Sequence, residues 1–325
     1  MSTVRVRGAG LEALTGPEPE LETLATGFFF TEGPVWNTAE SALYFSDISG
    51  DARWRWSQDE GARLVMRPNF IGNGMVYDRD GGLQVCEHVS SSLVRIRPDG
   101  ARDLVAFHYE GKYLNSPNDV ITAADGSIWF TDPDYGRRES SVGVARRRDL
   151  NFCGLYRIPP GGGAPELMAP QDEFEQPNGL CLAPDESVLY VDDRHGIKAF
   201  DRRPDGTLGP ARILHWDMGD DGSGVPGGPD GMKCDELGNV WCTARGGVWV
   251  ISPGGNRQPG LGRSRLAHAL PLHVHEPAPT ADPCRVGSAA LPRGDRQRVR
   301  QRAARMTADV LVPPAAADWG KQDMR

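Results

Sequence analysis

The sequence predicts an all-β protein, a propeller built of four-stranded blades. Three observations carry that prediction: an excess of glycine and proline, a motif repeated five times, and the interval between repeats. Glycine (40) and proline (26) make up 66 of 325 residues, or 20%, against about 12% in average proteins. In a helix interior they cost about 1 and 3 kcal/mol each, which argues against a mostly helical fold. The apolar fraction, 39%, is that of a soluble globular chain and argues against collagen or wholesale disorder.

The repeats run from Glu32 to Phe45, Asn73 to Cys86, Asn118 to Thr131, Asn178 to Val191 and Asp230 to Thr243. Each opens with Asn, Asp or Glu, usually followed by Gly. A short alternating apolar stretch comes next, then a turn rich in Asp, Gly or Ser, then a strand carrying Trp, Tyr, Phe or Val. Period-two alternation bounded by such turns reads as a β-hairpin. Further strands follow in order. Trp54 and Trp56 alternate after the first hairpin and share a face. Ser92–Arg97 and the turn Pro98-Asp-Gly100 follow the second, and Gly154–Ile158 follows the third. Gly196–Asp201 with Pro204-Asp-Gly206 follows the fourth, and Gly247–Ile251 with Pro253-Gly-Gly255 the fifth. The starts lie 41, 45, 60 and 52 residues apart, the period of a propeller blade. The 60-residue interval holds an insertion around Arg137 to Asn151.

The chain divides into an N-terminal segment, 1–24, a propeller, 25–256, and an Arg/Pro/Ala-rich tail, 257–325. The tail carries 11 Arg and one Lys against six acids, a charge of +6, so residues 1–256 carry −14 of the total −8. Three readings of the tail stand open: a disordered basic appendage, a degenerate blade, and out-of-frame translation after a reading-frame slip. Leu21 to Phe30 is expected to lend an outer strand to the closing blade. An open propeller exposes unpaired edges, so an out-of-frame tail predicts a chain that folds poorly or is inactive.

The acidic balance argues against nucleic acid as a partner. No apolar run approaches the roughly 18 residues of a membrane span, and the N-terminus lacks a basic-then-apolar signal pattern, which predicts a cytoplasmic protein. Six scattered cysteines without a CxxC pair argue against a zinc ribbon or disulfide framework; they read as reduced, buried, small hydrophobes.

The first strand of each blade lines the central channel, so Glu32, Asn73, Asn118, Asn178 and Asp230 form a ring. Each bears a side-chain oxygen. Carboxylate and amide oxygens suit a hard cation such as Ca²⁺ or Mg²⁺, and Glu32 and Asp230 would largely neutralise a divalent charge. The competing reading is that Asn-Gly and Asp-Gly merely form turns. That reading does not explain Glu32, nor the prolines (Pro117, Pro177, Pro229) before three ring positions.

The opening Glu32-Gly-Pro-Val-Trp36 resembles that of the gluconolactonase/regucalcin (senescence marker protein) family. So do Leu114-Asn-Ser-Pro-Asn-Asp119, Trp129-Phe-Thr-Asp-Pro-Asp-Tyr-Gly136, Gln176-Pro-Asn-Gly179 and Pro229-Asp-Gly-Met232. The resemblance covers Ala25 to Gly255. It implies a six-bladed β-propeller, with five blades evident here, one divalent cation in the channel, and hydrolysis of sugar lactones. Carried over by position, Glu32, Asn178 and Asp230 hold the cation: calcium first, with zinc, magnesium and manganese as alternatives. Asp230 is also the proposed general base. Asn118 lies near substrate and metal, with Asn73 beside it on the substrate side. Animal members carry an arginine where this chain has Ser116, which leaves aldonolactone specificity open. Thr131 to Gly136 is closer to bacterial members, with Tyr135 toward the substrate. The implied partner is a small-molecule lactone.

The chemistry suits these residue types. Opening a cyclic ester needs a polarised carbonyl and a deprotonated water; a divalent metal serves the first as a Lewis acid and makes bound water more acidic. Asp230 can take the proton, although a cation-bound aspartate is a weak base, so both routes stay open. Rival readings are a non-catalytic calcium-binding propeller and a phosphotriester or aryl-ester hydrolase using the same site. A Gly-x-Ser-x-Gly elbow is absent, against a serine hydrolase. His273 and His275 could pair on zinc. His88 and His195 follow inner strands, where they can rim the pocket. Arg137, Arg138 and Arg146 to Arg148 either cover the channel mouth or form a solvated loop. Trp36, Trp129, Trp241 and Trp249 are expected to pack between blades.

Overall fold

The computed structural model describes residues 5–6, 14–15, 23–219, 227–254 and 257–262. Among the described residues the β-structure is five antiparallel meanders, each opening with an innermost strand at or next to a repeat's first residue, and a short separate hairpin of His108–Tyr109 with Lys112–Tyr113. Blade I is Thr31–Asn37, Ala42–Asp47, Ala52–Ser57 and Gly61–Met66. Blade II is Gly72–Tyr77, Leu83–Glu87, Ser92–Ile96 and Arg102–Ala106. Blade III is Val120–Thr122, Ile128–Asp132, Gly154–Ile158 and Glu166–Leu167. Blade IV is Leu180–Leu182, Val188–Asp193, Gly196–Asp201 and Arg212–His215. Blade V is Asp230–Cys234, Val240–Ala244, Gly247–Ile251 and Arg257–Gly262.

Alternation sends successive side chains of a strand to opposite faces, and each face packs on a different neighbour. In blade I, Tyr44 joins Met75 and Val85 of blade II, while Leu43 and Phe45 face the other way with Trp54 and Trp56. In blade III, Phe130 and Tyr156 pack toward blade II, stacked with centroids 5.3 Å apart. Trp129 and Leu155 pack toward blade IV with Leu189 and Phe200. Tyr190 and Ala199 of blade IV meet Met232, Cys242 and Trp249 of blade V. Cys86, Cys153, Cys181, Cys234 and Cys242 are free and buried.

Two boundaries differ from the sequence reading. Arg257–Gly262 pairs with Gly247–Ile251, so the meander of blade V extends past residue 256. That strand has no alternation to announce it. Pro259 and Gly260 fall at the register shift between the Val248 and Val250 pairings, where a residue without an N–H interrupts no ladder bond. Arg5–Val6 then pairs along its outer side. Second, residues 23–30 form no strand. Leu24, Ala25 and Phe28 instead cover the aromatic face of blade I, with Phe28 edge-on to Phe45 and Trp54 at 5.1 and 5.0 Å. Five blades lie among the described residues; the expected sixth has no counterpart among them, and His268, His273, His275 and Cys284 also lie outside the described residues. No described helix is long and apolar enough to cross a membrane.

Candidate active site

The ring begins with backbone geometry. The innermost strands of blades I, II and V each shift register at the ring residue: between Glu32 and Val35, Gly72 and Met75, and Asp230 and Met232. Such bulges re-aim a side chain. The glycine after the ring residue serves close approach, not a turn. A Cβ on Gly33 would stand 2.1 Å from the Asn73 carbonyl oxygen, and one on Gly74 2.6 Å from that of Asn118. Blades I, II and IV therefore press on the next blade's inner edge through a glycine, whereas blade III carries Asp119 at that place and Gly231 of blade V has open space beside it.

A second device orients the segment leading into the ring. Asp47 accepts from the backbone N–H of Phe29 and Phe30, the latter at 2.9 Å. Asp132 accepts from Asn115 and Ser116, both at 2.8 Å. Asp193 accepts from Glu175 and Gln176 at 3.1 and 2.8 Å. In each case the donors sit three and two residues before the ring residue: Glu32, Asn118 and Asn178. These carboxylates fix the rotation of the incoming chain. In blade II the same task falls to Asp51, which accepts from Ile71 at 2.8 Å.

Glu32, Asn73, Asn118, Asn178 and Asp230 line one pocket. Their amides form a directed run. Asn73 Nδ2 donates to Asn118 Oδ1 at 2.6 Å, Asn118 Nδ2 donates to Asn178 Oδ1, and Asn178 Nδ2 donates to Asp230 Oδ1 at 2.8 Å. Backbone contacts lock the run: Thr131 Oγ1 donates to the Asn178 carbonyl at 2.5 Å, and Thr243 Oγ1 to that of Asp230.

The carboxyls are held uneasily. Burial pushes the Glu32 carboxyl well above the usual range, the Asp230 charge pushes it further, and the Gly33 N–H at 3.3 Å offsets part of this. Asp230 is pushed up to about 6 by burial, against the Asn178 hydrogen bond, with Asp119 adding to the rise. Behind them Asp192 is fully buried and raised by burial and by Asp230. Its Oδ2 accepts from Gly179 at 3.1 Å while Oδ1 has no partner.

Other expected residues sit differently. Ser116 stands behind the pocket wall: it is fully buried, its hydroxyl donates to the Pro133 carbonyl at 2.6 Å, and it accepts from Gly136 N–H at 2.9 Å. It is therefore committed to the turn that carries Tyr135 and does not line the pocket. Tyr135, in the single 3₁₀ turn Tyr135–Arg137, also lies off the lining. Its phenol pKa is raised by burial and then by the Asp230 and Asp192 charges, so the ring sits within their field. Three of the insertion's arginines, Arg137, Arg146 and Arg148, are not a free cationic cover. Arg137 donates to the Leu114 and Asn115 carbonyls, Arg146 to those of Gly136 and His88, and Arg148 pairs with Asp134 at 2.9 Å. They pin the insertion down. His88 is buried beside Asn73 and Asn118, whereas the His195 ring lies tilted against Trp216, with centroids 5.8 Å apart.

Residues 30–259 match the family model described as the SMP-30/gluconolactonase/LRE-like region. The chain belongs to that family. It is 29% identical over 265 residues to a gluconolactonase of Zymomonas mobilis, covering 75% of this chain and 73% of the relative. A regucalcin of Danio rerio is 26% identical over 227 residues, covering 68% and 70%. Among solved structures, a gluconolactonase from Xanthomonas campestris superposes with a TM-score of 0.73 at 34% identity, covering 81% of this chain and 85% of that one.

Proposed function

We propose that this chain is a lactonase that hydrolyses a sugar lactone in the channel pocket with one divalent cation held by Glu32, Asn178 and Asp230. The observation that carries the reading is the pair of carboxyls from blades I and V, which line one pocket, where the Asp230 charge raises the cost of ionising Glu32. A half-buried acid pair of this kind is relieved by a divalent charge. Among the described residues no three or more of His, Cys, Asp and Glu gather as a metal cluster. The donor set is instead two carboxylates with an amide oxygen, a hard all-oxygen set that fits Ca²⁺ best. Gluconolactonase relatives support the substrate class.

When bound, the cation supplies Lewis acidity to the lactone carbonyl and makes water a stronger acid. The chain's own residues do the rest. Asp230 accepts the proton of the attacking water at Oδ2, the oxygen that Asn178 does not occupy. Asn118 and Asn73 present amides to the ring oxygens and hydroxyls of the substrate and hold it against the carboxyl pair. Water adds to the carbonyl carbon, the ring C–O bond breaks, the proton passes to the leaving alkoxide, and a hydroxy acid departs.

The test is a panel of sugar lactones, aryl esters and a phosphotriester assayed against several divalent metals and a chelator. Lactone opening that needs metal and is lost in Asp230→Ala is expected. Full turnover in chelator, or in Asp230→Ala, overturns the assignment. Calcium binding without turnover on any member points to a binding propeller.

A further inference from the structure

His88 follows the second strand of blade II and is 1% exposed. It is held from three sides. Its Nδ1 lies 2.8 Å from the carbonyl oxygen of Val142 in the blade III insertion. The Arg146 guanidinium donates to the His88 carbonyl and, at 2.8 Å, to Ser91 Oγ. Gly136 lies against its ring base, where a Cβ would come within 2.6 Å of His88 Cβ. Nothing in the sequence motifs explains so much structure around one imidazole.

The contacts fix its tautomer. A carbonyl oxygen only accepts, so Nδ1 carries the proton and Nε2 is left with a lone pair. Burial also favours the neutral ring. Nε2 lies 3.4 Å from Asn73 Nδ2 and 3.3 Å from Asn118 Oδ1. An unprotonated nitrogen bonds with the first and not with the second. In that tautomer Asn73 Nδ2, which donates to Asn118 Oδ1 at 2.6 Å, has the Nε2 lone pair as a second, longer acceptor at 3.4 Å. Were the Asn73 amide turned over, its oxygen would meet the Nε2 lone pair. The run Asn73 to Asn118 to Asn178 to Asp230 thus has an acceptor at both ends, an imidazole nitrogen and a carboxylate.

We propose that His88 is a positioning residue: its unprotonated Nε2 accepts from Asn73 and holds the two pocket amides, Asn73 and Asn118, in one orientation. The kinetic consequence rests on the lactonase reading above; the hydrogen-bond polarity does not. The role joins the insertion to the chemistry, because Val142 selects the tautomer that the amides require.

Two variants separate this from a structural role. H88N keeps an N–H for Val142 but leaves Asn73 without an acceptor. H88Q extends an amide oxygen toward Asn73. The expected result is a roughly tenfold fall in kcat for H88N, with KM changed less than about twofold, and recovery of most of kcat in H88Q. An active H88N beside an inactive H88Q overturns the proposal and leaves His88 as an anchor for the insertion. Nitrogen NMR of the ¹⁵N-histidine-labelled wild type gives a readout that needs no activity. An unprotonated Nε2 for His88 at neutral pH is expected, and a protonated Nε2 overturns the assignment. If the wild type opens no lactone, the lactonase reading fails and the tautomer alone decides for or against His88.

Discussion

Replacing Asp230 by asparagine should make the metal-free protein more stable while abolishing its activity. The sign follows from the carboxyl's position. Its pKa rises from 3.8 to about 6 on folding. A raised carboxyl supports the fold when protonated, so its contribution is complete below 3.8 and is lost as pH climbs through about 6. At about 1.36 kcal/mol per pH unit, ionised Asp230 therefore costs the folded chain at most about 3 kcal/mol at neutral pH. Asparagine keeps an oxygen for Asn178 Nδ2 and carries no charge, and it also relieves Glu32, which the Asp230 charge raises. Water in the channel screens the half-buried group, so a gain of about 1–2 kcal/mol is expected. Urea unfolding in chelator at about pH 7.5 and about pH 4 measures it, with the gain present at the first and nearly gone at the second. Saturating calcium should reverse the order, since a ligand of the native state stabilises the protein that binds it. A variant less stable than wild type in chelator at neutral pH, or a gain that ignores pH, would refute the reasoning.

Two further substitutions probe the frame. Gly33→Ala places a methyl 2.1 Å from the Asn73 carbonyl, at a residue whose φ is +54°; a loss of at least about 3 kcal/mol is expected. Thermal melting checks it, and a melting point near that of wild type would show that blades I and II can part without cost. Ser116→Ala strands the Gly136 N–H and the Pro133 carbonyl. It should cost about 1–3 kcal/mol in stability and leave KM within about twofold; a large rise in KM with an unchanged melting curve would return Ser116 to the substrate.

Much of the frame was legible because each blade carries its own turn chemistry. The hairpins at Asp78 to Gly82, Asp125 to Ser127 and Asp235 to Asn239 close through their own aspartates, so a local reading finds them. The ring positions were legible for a related reason: they recur at the same place in every repeat. The strand Arg257–Gly262 was not, because its pairing depends on the open edge of Gly247–Ile251 and not on its own residues. The clamps Asp47, Asp132 and Asp193 had a signal that a slightly longer alignment exposes, since they lie 15, 14 and 15 residues beyond their ring residues. The direction of the amide run had none. Which end of an asparagine faces which neighbour depends on His88 and Val142, which are 54 residues apart.

The contacts at Gly33 and Gly74 separate two properties that enzymes usually entangle. Blade spacing at the channel is set where one main chain touches the next, at residues with no side chain to vary. The ring residues Asn73 and Asn118 meet that contact through their carbonyls, while their side chains line the pocket. A lineage can therefore trade carboxylate for amide, or one polar group for another, without re-tooling the wall. Divergence of substrate on this scaffold should then be concentrated in single exchanges at ring positions, with the glycine partners held still.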